Sequence, residues 1–208
     1  MRQQVIIPWR DAGCTYRRHH FDFLCNYYSE EFDIVIANNP GDFNRSAARN
    51  IGVSKTHSDV AVVIDADNYI PHNQIYEAIE KANKTGKLVK PFHLFGYLTE
   101  DSTDMFYEFY DIDAIEFEPS YIDPPQNDFT GGAYVMKKNI WQNIGGMDEG
   151  FIGWGAEDDA FHIICKKRLG RIHIIPGNDF HLYHPAHRVT SEYNYDKLMR
   201  EYVRNKRL

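Results

Sequence analysis

Two carboxylates one residue apart, Asp65 and Asp67, follow directly on the most apolar run of the sequence, Val60-Ala61-Val62-Val63-Ile64. On extended backbone alternate side chains share a face, so this spacing lets the pair hold one divalent cation directly or through water. Farther along, Glu157, Asp158 and Asp159 follow the glycine-flanked Trp154. The apolar pattern behind them (Ala160, Phe161, Ile163, Ile164, Leu169) has helical spacing, which puts the acids in a first helical turn where the dipole holds them ionised. An ionised carboxylate at the mouth of a cleft can take a proton from a hydroxyl, and an indole face suits the apolar side of a sugar ring. Both sets also have an ordinary reading, as turn formers after a buried strand and as helix-start residues.

Two further groups extend this chemistry. His181 and His184 are three apart, with His187 close by, and one or both could complete a metal shell begun by Asp67; imidazole is more acceptable to Mn²⁺ than to Mg²⁺. Arg45 and Arg49 are four apart, on one face of a helix, where they suit a diphosphate or simply a solvated surface. The Gly131-Gly132 pair opens a strand and lets backbone approach a ligand closely, unless it marks a bulge.

The elements that must position these residues alternate. Strands are predicted over residues 4–9, 33–37, 60–64, 87–91, 130–136 and 171–176, the first stopping at Pro8 and Trp9. Helices are predicted over 15–28, 43–52 (ended by Gly52), 72–83, 139–144 and 193–208. Strand, helix, strand implies a parallel α/β sheet, whose ligand crevice lies beyond the carboxyl ends of its strands. Residues 94–128, with an aromatic and acidic helical stretch at 104–111 and a proline-bearing loop at 121–126, read as a lid or acceptor-side insertion with most aromatics in the core. The glycine-rich run 145–151 reads as a hinged loop.

Composition excludes other classes. The chain has 208 residues, 43% hydrophobic, without a biased tract, which fits one globular domain. A formal net charge of -7 argues against a general phosphate-backbone binder. Three cysteines without metal-type spacing imply reduced thiols, and no signal-peptide or membrane-span pattern is present. These features lead to the expectation of a soluble protein of the cytoplasm.

Taken in order, Ile-Ile-Pro-Trp-Arg (6–10), Phe-Asn-Arg-x-x-x-x-Asn-Ile-Gly (43–52), Asp-Ala-Asp-x-x-Ile-Pro (65–71), Gly-Gly (131–132), Gly-Trp-Gly-Ala-Glu-Asp-Asp (153–159) and His-x-x-His (181–184) closely resemble the β-1,4-galactosyltransferase family and related chondroitin-type glycosyltransferases. The likeness spans nearly the whole chain. It implies a GT-A fold: an α/β architecture with a mostly parallel twisted sheet flanked by helices. One catalytic domain, 1–208, would have a Rossmann-like nucleotide-sugar half at about 1–92 and an acceptor half at about 93–208. The activity it implies is inverting, Mn²⁺-dependent (or Mg²⁺-dependent) transfer from a UDP-sugar to a hydroxyl of a glycan, lipid-linked or other acceptor.

Carried over by position, Pro8, Arg10, Arg45, Asp65, Gly132 and Trp154 would contact the donor. Asp67 with His184, and His181 where many members have methionine, would bind the metal. Trp154, Glu157 and Asp159 would hold the acceptor, and Asp158 would be the general base. The sequence departs from the family at Ala12, where a second arginine is frequent, and at Ala160, where a fourth acid is frequent. Phe129 falls where an aromatic helps choose the donor sugar. The absence of a Golgi-type anchor and stem implies a bacterial or phage-like cytoplasm, where hydroxylated DNA bases join the acceptor classes. A binding module without turnover is the non-enzymatic alternative; a nucleotidyltransferase would carry a glycine-rich phosphate loop with a lysine near its start, which Pro8-Trp9-Arg10-Asp11-Ala12-Gly13 is not.

Overall fold

A computed structural model describes residues 2–109, 112, 118–120, 131–185 and 191–205. The first half alternates as its periodicity requires: β1 (Gln4–Pro8), α1 (Thr15–Ser29), β2 (Asp33–Ala37), α2 (Arg45–Lys55), β3 (Val60–Ile64), the short β4 (Asn68–Tyr69), α3 (His72–Thr85) and β5 (Val89–Lys90). There follow β6 (Leu94–Tyr97), α4 (Glu100–Phe109), β7 (Glu118–Ser120), β8 (Ala133–Lys137), α5 (Lys138–Asn143), α6 (Glu157–Leu169), β9 (His173–Ile174) and β10 (Asn178–His181). The chain closes with α7 (Glu192–Lys197), which runs on as a π-helical turn over Leu198–Val203.

Six strands form the main sheet in the order β2-β1-β3-β8-β5-β9. The pairs β1·β2, β1·β3 and β5·β9 are parallel, while β8 runs antiparallel to both β3 and β5. The sheet is therefore mixed, and its inner strands β1, β3 and β8 are buried on both faces, which is why they read as continuous apolar runs. Val5 and Ile7 of β1, Val62 and Ile64 of β3, and Val135 of β8 face one cluster with Leu24 and Tyr28 of α1 and Ile75 and Ala78 of α3. Ile6, Ala61, Val63, Tyr134 and Met136 face the other, with Trp141 of α5 and Phe161 and Cys165 of α6. The period-2 alternation thus assigns each helix its side.

A second sheet, β4-β10-β6-β7, lies at the carboxyl end of β3. Its central strand, β10, is absent from the sequence reading: Asn178-Asp179-Phe180-His181 is too short and polar to show strand alternation, and the predicted strand at 171–176 contracts to His173–Ile174. The stretch 104–111 is helical as far as Phe109, and Phe106 is core. The loop at 121–126, Phe129 and His187 lie outside the described residues.

Gly52 does not end its helix. α2 continues to Lys55, and a Cβ at Gly52 would stand 2.3 Å from Ile6 Cγ2 and 2.9 Å from Ala37 Cβ. The missing side chain lets α2 lie close on β1 and β2. Alanine favours a helix over glycine by about 1 kcal/mol, but overpacking of this kind costs about 1–3 kcal/mol. Gly52→Ala is therefore expected to lower stability in equilibrium urea unfolding despite its better propensity; a stabilised variant would show that the helix–sheet gap has room.

Candidate functional site

The site forms where β3, α2, α6 and β10 converge. Asp65 follows β3, and its N–H donates to Gly132 O across the start of β8 (2.9 Å). The chain then turns through Asp67 into β4, whose residues pair with β10 (Phe180 with Tyr69, His181 with Asn68), and Leu182 N donates to Asp67 O (2.8 Å). This pairing delivers the two histidines to the carboxylate. His184 Nε2 lies 3.1 Å and His181 Nε2 3.8 Å from Asp67 Oδ2, and the three ligand atoms fall within 4.8 Å of one another. Burial alone would raise the Asp67 carboxyl, but the two imidazoles and Arg17 hold it well below its ordinary range.

One carboxylate oxygen and two ring nitrogens fit a divalent cation: ligand bonds of about 2.0–2.6 Å span gaps of this size. The mixed donor set suits Mn²⁺ better than Mg²⁺, and three protein ligands leave positions for a substrate. His184 Nδ1 lies 3.2 Å from Pro185 O; as an N–H donor there it leaves the Nε2 lone pair for a metal.

Asp65 does not share this cation site. Arg49 Nη2 donates to both of its oxygens (2.8 and 2.9 Å) while Nη1 donates to Asp158 Oδ1 (2.7 Å). Arg49 is completely buried, so it is not placed to meet a diphosphate from solvent as the helix-face reading has it. Its guanidinium also lies over the Tyr134 ring at 5.2 Å, and the Tyr134 hydroxyl donates to the same Oδ1. Burial pushes the Asp158 carboxyl up, but Arg49, Arg45 and the Tyr134 hydrogen bond outweigh it and hold the pKa down. Asp65 goes the other way, because burial with Asp158 and Asp67 nearby outweighs Arg49. Both contacts of Asp158 fall on Oδ1, leaving Oδ2 as the oxygen that can receive a proton.

The other expected residues are placed as follows. Pro8 ends β1, paired with Ala37. Arg10 donates through Nε to Asn38 Oδ1 (3.0 Å) and through its terminal nitrogens to the carbonyls of Asn39 and Gly41, so it organises the loop before α2. Asn44 caps α2 through Ala47 N, and Arg45 in the first turn reaches Glu157 Oε1 at 2.6 Å. Glu157 is only 2% exposed. Its contact is to the less buried Arg45, while Asp159 and Trp154 are exposed. Gly132 adopts φ 82, and a Cβ there would meet Asp179 Oδ2 at 2.6 Å.

Several contributors escape the motifs. Lys90 is buried under the glycine pair, donates to Gly131 O and lies 4.5 Å over the Tyr134 ring; burial lowers its pKa to about 7 against the pull of Asp158, Asp179 and Asp65. Asp179, fully buried, accepts from Asn68 Nδ2 (2.8 Å), tying β10 to the residue after Asp67. Asn194, also fully buried, holds the Trp154 loop: its Oδ1 accepts from Ile152 N (3.1 Å), and its Nδ2 donates to Ile152 O (3.0 Å), Gly155 O (3.0 Å) and Trp154 O (3.4 Å). The only sequence signal for Asn194 is a polar residue in a terminal helix, which nothing distinguishes from a solvated one.

The sequence profile of glycosyl transferase family 2 matches residues 22–141, more than half the chain. The chain belongs to glycosyl transferase family 2. Residues 114–188 match the profile of the N-terminal domain of galactosyltransferase. No curated protein matches significantly.

Among solved structures, the catalytic domain of Drosophila β1,4-galactosyltransferase 7, in complex with xylobiose, is similar over 98% of this chain and 81% of its own at TM-score 0.61 and 16% identity. GalNAc-T7 with UDP, GalNAc and Mn²⁺ is similar over 95% of this chain and 47% of its own at TM-score 0.58 and 12% identity. Glucosyl-3-phosphoglycerate synthase from Mycobacterium tuberculosis, with phosphoglyceric acid, is similar over 88% and 73% at TM-score 0.50 and 15% identity. At these identities the likeness establishes the GT-A fold. Among the described residues no helix is long and apolar enough to cross a membrane.

Two expectations follow from the geometry. Trp9 and Trp141 are 7% and 2% exposed against 40% for Trp154, so acrylamide quenching of tryptophan fluorescence reports mainly on the Trp154 loop. Asn194→Ala is expected to raise that quenching by releasing the loop; an unchanged quenching constant would show that the loop holds itself.

The second concerns pH. Burial and Asp158, against Arg45 and Arg49, push the Glu157 pKa from 4.5 up to about 7. Between those values the folded state binds more protons than the unfolded one, so stability falls as pH rises through the window. Glu157→Gln is expected to remove about 1–3 kcal/mol of that fall between pH 5 and pH 8 in denaturant titrations; parallel pH profiles for variant and wild type would rule out Glu157 as its source.

Proposed function

We propose that this protein is a metal-dependent, inverting glycosyltransferase that moves a sugar from a nucleotide sugar, UDP-linked, to a hydroxyl of a glycan or related acceptor. The observation that carries the reading is the juxtaposition of an Asp67–His181–His184 cation cluster with Asp158 through the shared Arg49–Asp65 bridge. A cation site and a fixed carboxylate base at the carboxyl end of a central strand are what displacement of a diphosphate by a hydroxyl requires.

In this reading Asp67, His181 and His184 hold Mn²⁺, which when bound offsets the negative charge developing on the leaving diphosphate. Pro8, Arg10, Arg45 and Gly132 line the donor side, with Asp65 facing the nucleotide sugar. Trp154 supplies a flat face between donor and acceptor, and Asp159 binds acceptor hydroxyls. Glu157, being buried, acts by positioning Arg45 on the donor side and leaves the acceptor to Trp154 and Asp159. Asp158 takes the acceptor proton on Oδ2 while Oδ1 stays fixed by Arg49 and Tyr134. A carboxylate with a depressed pKa is a weak resting base, but it stays ionised across physiological pH and is fixed at the attacking face. The single domain would divide at about residue 92 into donor and acceptor halves.

What the structural relatives hold supports the reading by analogy: GalNAc-T7 binds UDP, GalNAc and Mn²⁺, and the Drosophila enzyme binds xylobiose. The test is calorimetric titration of UDP with and without Mn²⁺, paired with turnover of UDP-galactose and UDP-N-acetylgalactosamine. Binding is expected to need the metal and to weaken by at least about tenfold in Asp67→Ala. Asp158→Asn is expected to keep UDP affinity while turnover falls by about 10²–10⁴. Metal-independent binding would overturn the cation assignment, and full turnover in Asp158→Asn would remove the base.

A further inference from the structure

Outside the cation cluster, a cavity of about 200 Å³ lies between the N-terminal turns of α1, α4 and Tyr183. Its walls are stitched together. His20 bonds Tyr107 OH and Tyr183 O, Thr103 Oγ1 accepts from Tyr183 N (3.0 Å), and Tyr16 OH donates to Glu100. Its faces are aromatic: His19 stacks on Tyr107 with centroids 4.4 Å apart, and Tyr16 meets Tyr183 edge-on at 5.8 Å. Glu100 and Asp104 stand on its α4 side.

The cavity is next to the cluster in both sequence and space. Tyr183 lines it and the following residue, His184, belongs to the metal set, while the His20 and His184 rings are 6.4 Å apart. Aromatic faces with carboxylate acceptors suit a ring that has C–H faces and vicinal hydroxyls. The two carboxylates disfavour phosphate, so the nucleotide of a donor is a poor occupant. The volume is below that of a drug-sized ligand site and is suited to a single small ring.

We propose that this cavity is a saccharide subsite that takes one neutral sugar unit of the acceptor, beyond the unit that reacts. The proposal rests on the transferase reading for its function but not for its binding. A sugar unit anchored here lies beside the cation cluster, which favours acceptors of more than one sugar.

The test is saturation-transfer-difference NMR on the full chain with galactose, xylose, N-acetylglucosamine and glucuronate, each without UDP. At least one neutral sugar is expected to receive saturation, and glucuronate is expected to receive far less. Asp104→Asn, at an exposed helix position, is expected to weaken that signal about tenfold while thermal melting stays unchanged. Tyr16→Ala is expected to weaken it without altering Mn²⁺-dependent UDP binding. Absence of transfer to every neutral sugar, or equal transfer in wild type and both variants, overturns the subsite. Glucuronate bound as well as the neutral sugars overturns the charge argument. Sugar binding without any UDP binding would sink the transferase reading and leave the subsite standing.

Discussion

The buried guanidinium of Arg49 is the contact on which the arrangement of the site depends. Moving a charged side chain out of water costs several kcal/mol, and the cost is offset only where partners and hydrogen bonds are complete. Arg49 meets that condition through its terminal nitrogens, which fork between Asp65 at the end of β3 and Asp158 in the first turn of α6 over the Tyr134 ring, while its buried Nε has no hydrogen-bond partner among the described residues. Without it, those two carboxylates and Asp67 would gather like charge in a half-dry cleft, and at least one would be driven to protonate. The opposite shifts of Asp65 and Asp158 follow from what each has besides Arg49: the negative neighbours Asp158 and Asp67 for Asp65, and Arg45, the Tyr134 hydroxyl and Lys90 for Asp158. Arg49 thus ties three elements together and sets the charge state of the carboxylate assigned as the base.

The second constraint is the entry to α6. To bring three acids to a helix start beneath Trp154, the chain turns through Gly153 (φ 77), Gly155 (φ 98) and Ala156 (φ 73). Ala156 is the one non-glycine residue with positive φ among the described residues, a conformation that costs about 1–2 kcal/mol. Asn194 offsets this strain by satisfying backbone groups of the turn from a helix about forty residues later. The glycines on either side of Trp154 are therefore conformational requirements of the turn, and the exposed indole is their consequence.

Much of this was legible in sequence because it was local. The β1, β2 and β3 runs, the α6 pattern and the acids at its start declare themselves by period and position. Asp67 with His181 and His184 was reachable because residue chemistry limits which groups share a cation. What was not legible depends on long-range burial. Arg49 looks like half of a surface arginine pair, and only the packing of α2 between β3 and α6 shows that it is interior. Gly52 looks like a stop signal, since a glycine that ends a helix and one that lets a helix touch a sheet are the same letter. Strand β10 escapes because Asp179 is a polar residue buried against Asn68, and Gln74 bonds the backbone of Asn178, partners that no window contains.

The failure at β10 also explains why the two aspartates of Asp65-Ala66-Asp67 part company. Alternation would send both to one face only if the strand continued through them, but β3 ends at Ile64, and Asn68 N donates back to Asp65 O (3.2 Å) in a turn. The turn leaves Asp65 beside α2 and carries Asp67 across to the second sheet, where His181 ends β10 and His184 follows it. Asp179 fixes that register from behind: it is two residues before His181, and its bond to Asn68 locks the neighbours of two metal-set residues together. Gly132 follows from the same packing, because any side chain there would strike the Asp179 carboxylate. The short polar strand that no periodicity reveals is thus what parts the acidic pair, with Asp67 joining the two histidines and Asp65 fixing the guanidinium that holds Asp158.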